Sequence, residues 1–309
     1  MASITRMRAA LWRGLAASMG VLCLAAGGCM PGLGGPSERT TVVPLTTMDH
    51  AGRELAYLAP ADPRFQNPGG GDELVRVIYI HGTPGRGSIL DAYIAEPVPG
   101  TAPVAVDRLG FGESNGAPVV SFREQAHSIA TLLDPRPDYG TILVGHSLGG
   151  PIAARLAAEY PDRVTGLVIV AGSLAPDLEK PRWFNHAAAV PFVDPLLPRA
   201  LRMSNRELLA APDQARALDR VVGRVRAATV VIHGTHDTLV PVENVHYMRD
   251  AMTGARSFET DVIDGGSHFL PWTHEELIRR RVRELVEAEQ ARRRARAEDR
   301  ARGGTGQGR

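Results

Sequence analysis

Cysteine is nearly absent. The chain has two in 309 residues, Cys23 and Cys29, so no disulfide can staple the sequence that follows them and packing must supply its stability. A long apolar run is also missing. The stretch from Leu15 to Ala26 falls short of the roughly 20 residues that a membrane-crossing helix requires. Charge of one sign is lacking too: the formal net charge is +1, which removes any global electrostatic case for a nucleic-acid partner. There is no H-E-x-x-H and no cysteine cluster to turn His233, His236 and Asp237 into a metal site. The glycine-rich stretch from Gly82 to Ser88 lacks the lysine and spacing of a phosphate-cradling loop, and Gly110 to Gly116 misses the third glycine of a dinucleotide fingerprint. No metal and no cofactor is therefore expected. No internal repeat is visible.

What is present suits one globular domain with extra tails. With 44% hydrophobic and 22% charged residues, the chain can bury a full core. Short apolar runs predict strands near 41–45, 54–58, 75–80, 103–107, 141–146, 164–170, 229–233 and 257–263, with helices near 89–95, 121–133, 148–159, 242–252 and 273–289. Such alternation predicts an α/β fold, a mostly parallel eight-stranded sheet covered by helices on both faces.

The most informative stretch is Gly145-His146-Ser147-Leu148-Gly149, which follows the apolar run Thr141-Ile142-Leu143-Val144 and precedes a helical pattern. A strand, a sharp turn and a helix would lift the Ser147 hydroxyl above the sheet as a nucleophile. A serine hydroxyl is weak, so it needs a base within hydrogen-bond reach and a carboxylate to orient that base. Asp237, just past the seventh predicted strand, is the candidate acid. His268, in the glycine-bearing loop after the eighth, is the candidate base. Their rivals are weaker. Asp264 lies four residues from His268 in the same short loop, His236 adjoins Asp237, strand alternation should aim His146 away from Ser147, and His274 falls inside the last predicted helix. Asp237 has a competing role as a helix N-cap before Val242. Asp107 and Arg108 are expected to tie down the loop after the fourth strand.

The order Ser147, Asp237, His268, each after a predicted strand, resembles the α/β-hydrolase superfamily. Val75-Arg76-Val77-Ile78-Tyr79-Ile80-His81-Gly82-Thr83-Pro84-Gly85 and Pro103-Val104-Ala105-Val106-Asp107-Arg108-Leu109-Gly110-Phe111-Gly112-Glu113-Ser114 belong to the same resemblance. It implies a catalytic domain over 40–290 and an oxyanion hole made by the backbone N–H groups of Thr83 and Leu148, so that the Thr83 side chain should matter little. It further implies that the 53-residue insertion at 173–225 is a small cap after the sixth strand. Its Trp183, Phe184, Phe192, Leu196 and Leu197 are expected chiefly to pack the cap onto the body, and otherwise to line a substrate pocket. The implied activity is hydrolysis of a partly apolar carboxylic ester through an acyl-enzyme. Acyl transfer, carbon-carbon bond hydrolysis and cofactor-free haloperoxidation share the same residues, and a non-catalytic ligand-binding role is the alternative of another class. A serine at position 147 disfavours chemistries that use a carboxylate nucleophile.

The ends carry separate signals. Arg6, Arg8 and Arg13 precede the apolar stretch, which closes in small residues, so 1–28 reads as an export signal. Leu24-Ala25-Ala26-Gly27-Gly28-Cys29 resembles the signal of bacterial lipoproteins, which implies lipidation of Cys29, a flexible tether over 29–39 and a membrane-anchored protein on the periplasmic or extracellular side. An ordinary secretory signal is the alternative. The stretch 291–309 carries seven arginines against Glu298 and Asp299, a local formal charge of +5. It is expected as a frayed or disordered tail, with attraction to anionic lipid as its functional reading.

Overall fold

A computed structural model describes residues 41–66, 74–114, 119–136 and 138–304. Cys29, the expected export signal (1–28) and the whole of the expected tether (29–39) lie outside them. The strands are β1 (Val42–Met48), β2 (Glu54–Pro60), β3 (Val75–Ile80), β4 (Thr101–Val106), β5 (Thr141–His146), β6 (Val164–Val170), β7 (Ala228–Gly234) and β8 (Ser257–Ile263). They form one sheet in the order β1-β2-β4-β3-β5-β6-β7-β8. β2 is antiparallel to β1 and β4, and every other pairing is parallel.

Burial follows from that order. β3, β4, β5 and β6 are buried along their whole length, because a parallel strand with helices above and below has no wet face. Alternation still divides their side chains: Val75, Val77 and Tyr79 of β3 enter one core, and Ile78 and Ile80 enter the other. The edge strands β1 and β8 keep an exposed or half-exposed pattern.

The helices are α1 (Pro63–Gln66), α2 (Asp91–Ala95), α3 (Phe122–Ile129), α4 (Gly149–Glu159), α5 (Trp183–Ala188), α6 (Arg199–Val222), α7 (Asn244–Ala251), α8 (Leu270–Thr273) and α9 (Glu275–Gly304). α2 and α9 contribute Tyr93, Ile94, Ile278 and Val282 to one core, while α3, α4, α6 and α7 fill the other with Phe122, Ile152, Leu218 and Met248. The chain after β3 therefore leaves towards one face, and the chain after β5, its neighbour in the sheet, leaves towards the opposite face. A crevice opens between such strands at their carboxyl ends.

Several elements depart from the sequence expectation. The helix expected at 121–133 ends as a 3-10 turn, Ala130–Leu132, and Ser121 caps its start by accepting from the Glu124 N–H (3.3 Å). The last helix, expected near 273–289, is split. His274 sits between α8 and α9 rather than inside a helix, and α9 runs on to Gly304. Its described extension is not a loose tail: Arg293 donates to the Leu74 and Gly140 carbonyls (3.0 and 3.1 Å), and Arg292 donates to the Asp138 carbonyl (2.8 Å). Periodicity in 291–302 is hidden by arginine, whose aliphatic stem and fork can pack against the body as well as face water.

Candidate active site

Ser147 sits at φ +53°, a left-handed conformation rare outside glycine. The neighbouring glycines make that turn sterically feasible. A Cβ at Gly145 would overlap the Gly149 carbonyl, and one at Gly149 would overlap the Ile80 carbonyl of β3. The absence of side chains at both positions lets α4 start directly against β3. The loop after β3 approaches just as closely, for a Cβ on Gly82 would stand 2.7 Å from the Ser147 Cβ and 3.2 Å from its hydroxyl oxygen. Thr83 thus follows a residue in contact with Ser147, and Leu148, which is buried, opens α4.

Asp237 and His268 meet. His268 Nδ1 lies 2.8 Å from Asp237 Oδ2, and the other carboxylate oxygen accepts from the Leu239 and Val240 N–H groups (2.9 and 2.8 Å). The carboxylate therefore both caps its own turn and orients the imidazole. Burial pushes the Asp237 carboxyl up, but the hydrogen bond and charge of His268, with the two amides, outweigh it and hold the group below the ordinary carboxylate range. A proton on Nδ1 leaves Nε2 of His268 as the acceptor. Asp264 accepts from the Thr235 hydroxyl (3.1 Å), which is also 3.5 Å from His236 Nδ1, and His274 lies 2.9 Å from the Thr273 hydroxyl. These rivals are occupied elsewhere.

Two further histidines border the pair. His146 Nε2 donates to the His268 carbonyl (3.0 Å), and its ring lies 4.9 Å from that of His268 and 5.5 Å from that of Trp272. Burial, then the nearby His268, push its pKa down to about 3. His233 is 3.6 Å from Asp237, too far for a hydrogen bond, and donates instead to the Val240 carbonyl (3.0 Å); burial lowers its pKa. The Nδ1 atoms of His146 and His233 find no hydrogen-bond partner among the described residues. Both rings are neutral supports. Strand alternation set His146 aside as a base, and it could not reveal that this ring holds the backbone of His268.

Asp107 and Arg108 do more than the sequence reading gave them. Asp107 joins the loops after β3 and β4, accepting from Gly87 N–H (2.5 Å) and Glu113 N–H (2.8 Å). Arg108, fully buried, donates to the His81 and Gly82 carbonyls (2.9 and 2.8 Å) and forms a two-pronged pair with Glu207 of α6 (2.5 and 3.1 Å). One helical turn earlier, Ser204 accepts from the Thr83 hydroxyl (2.9 Å), so that side chain is engaged. The insertion is docked here by polar ties and by Met203, Ala211, Ala215 and Leu218. Trp183, Phe192 and Leu196, expected mainly to pack it down, are exposed by 63%, 76% and 81%. The pairing of Arg108 with Glu207 spans 99 residues and has no local signal in the sequence.

Among the described residues no cluster of three or more His, Cys, Asp or Glu side chains is arranged to hold a metal. No helix among them is long and apolar enough to cross a membrane.

A family model for the alpha/beta hydrolase fold matches residues 75–203, which include the Ser147 turn and more than half of the insertion. The chain has the α/β-hydrolase fold. It is similar in sequence to the lipase LipV of Mycobacterium tuberculosis, with 35% identity over 127 residues that cover 40% of the chain and 48% of LipV. It is likewise similar to the sn-1-specific diacylglycerol lipase ABHD11 of Mus musculus, with 30% identity over 142 residues that cover 45% and 46% of the two chains. The matches thus span about half the length of these relatives. The fold is shared with a crystallised putative lipase of Acinetobacter baumannii, at a TM-score of 0.60 and 16% identity, over 81% of this chain and 92% of that one.

Proposed function

We propose that this α/β hydrolase cleaves carboxylic esters through an acyl-enzyme on Ser147. The observation that carries the reading is the His268–Asp237 contact of 2.8 Å at the same sheet edge as a serine held at φ +53°. In the proposed cycle Nε2 of His268 takes the Ser147 proton as the oxygen attacks the ester carbonyl, and Asp237 stabilises the imidazolium. The N–H groups of Thr83 and Leu148 receive the oxyanion, His268 returns the proton to the departing alcohol, and water then releases the acid by the same steps. Two lipases among the relatives and the exposed apolar side chains of the insertion favour an ester with an apolar acyl or alcohol part. Export and lipid attachment at Cys29 complete the proposal; metabolic labelling with an alkyne fatty acid in a bacterial host checks it, a Cys29→Ala chain remaining unlabelled.

The test of the chemistry is intact-mass analysis after treatment with a fluorophosphonate. A single adduct on the wild type that vanishes in Ser147→Ala is expected. A folded wild-type chain that stays unlabelled and turns over no ester across a chain-length series would replace hydrolysis with the ligand-binding reading.

A further inference from the structure

The peptide unit between Gly82 and Thr83 carries a carbonyl at one end and an N–H at the other, and amide planarity fixes their directions relative to each other. Whatever holds the Gly82 oxygen therefore aims the Thr83 N–H. Two donors hold it: Arg108 Nη2 (2.8 Å) and His81 Nδ1 (2.7 Å). The tautomer of His81 is set by Arg108 as well, since the Arg108 backbone N–H donates to His81 Nε2 (3.1 Å) and leaves the ring proton on Nδ1. Burial, then the Arg108 charge, keep that ring's pKa well below its ordinary value. The same guanidinium fixes the preceding carbonyl through Nε (2.9 Å) and stacks on Phe111 at 4.7 Å.

Arg108 does not stand alone. Its remaining capacity is spent on Glu207, a buried carboxylate on α6, and Ser204, on the same face of that helix, takes the Thr83 hydroxyl. One helix thus reaches this peptide unit twice, through Ser204 directly on Thr83 and through Glu207 by way of Arg108 on the Gly82 carbonyl. A buried ion pair is a weak device for stability, since apolar residues of similar volume hold a helix at least as well. It is a strong device for fixing direction, because a guanidinium and a carboxylate meet in one plane.

Resting on the ester-hydrolase reading above, we infer that Arg108 and Glu207 are positioning residues that aim the Thr83 amide at the developing oxyanion, making the docked insertion part of the oxyanion hole. Losing one donor of an oxyanion hole lowers kcat by about 10²–10³-fold, and misaiming one approaches that range.

The test uses the full-length protein, with wild type, Arg108→Met, Glu207→Gln and the double variant Arg108→Met/Glu207→Leu. Steady-state kcat and KM are measured on p-nitrophenyl butyrate and on its thionoester, whose sulfur is a poor acceptor and gains little from an oxyanion hole. The double variant is expected to keep the wild-type urea midpoint, because apolar packing replaces the pair. Its oxo-ester kcat should nevertheless fall by about 10²-fold with KM changed by less than about threefold, and its oxo-to-thiono rate ratio should collapse. Glu207→Gln, which keeps the volume and one hydrogen bond, should show the same signature at about tenfold. This variant decides the matter if the Arg108 variants do not fold. Wild-type kcat and rate ratio in a folded double variant, or in Glu207→Gln, would overturn the inference and leave the hydrolase reading intact. A wild type that neither labels at Ser147 nor turns over ester would remove both together.

Discussion

Ser147, His268 and Asp237 are read as one unit, and units of this kind lose their effect together. Ser147→Ala and His268→Ala should each reduce kcat by about 10⁴–10⁶-fold, with the double variant no worse than either. Independent, additive losses measured in single-turnover assays would break the unit. Asp237→Asn should cost about 10⁴-fold, because an amide can donate to Nδ1 and favour the wrong tautomer of His268. At this scale the sequence offered Ser147, Asp237 and His268 as candidates from residue type and order, and the contact between Asp237 and His268 follows that order. His146 was legible only as an unsuitable base, and its contact with the His268 carbonyl depends on the distance between the ends of β5 and α8.

Among the elements, the start of α4 is the tightest. Its first glycine lies against the Ile80 carbonyl of β3, and backbone cannot move aside as a side chain does. Gly149→Ala should therefore destabilise the fold by about 2–3 kcal/mol, read as a lower urea midpoint, and should depress labelling of Ser147 in whatever fraction folds. An unchanged midpoint would mean that α4 can retreat from the sheet at no cost. The end of α9 illustrates what pattern reading misses. Glu289, 3% exposed, accepts from the Gly140 N–H (2.8 Å) and pairs with Arg292 and Arg293, so charged side chains anchor this helix to the start of β5. A run of arginines reads as solvent-facing until its partners are known. The 24-residue α6 was invisible for a similar reason: Pro212 interrupts its sequence pattern, and its docking face carries Ser204 and Glu207 beside few large apolar side chains.

For the molecule as a whole, the buried histidines set the response to acid. His81, His146 and His233 all have pKa values below their ordinary 6.5, with burial as the largest cause, and His146 stands at about 3. As pH falls below about 6.5 the unfolded chain takes up protons at these positions and the folded chain does not. The unfolded state then binds more protons, so stability must fall with pH, by up to about 1.4 kcal/mol per pH unit for each histidine. Asp237 adds to the loss further down, since its depressed carboxyl contributes stability that disappears as pH falls through its folded value. Urea midpoints should hold steady from pH 8 to 7 and decline from 6.5 to 5. A flat profile over that range would mean that these rings open to water without unfolding.

What the sequence determined by itself was the set of strands and their alternation with helices, with Ser147, Asp237 and His268 as the candidates that follow three of them, because these rest on local periodicity and on motifs a few residues long. The strand order is a different matter. It decides that β3 and β5 are neighbours from which the chain departs to opposite faces, and so where the crevice lies. Only tertiary structure decided how the insertion is held: Arg108 meets Glu207 across 99 residues, and Thr83 meets Ser204 across 121. Such contacts leave no periodic trace in either segment. Burial of the Arg108 charge is tolerable only once Glu207 is brought against it, a condition the complete fold alone can satisfy.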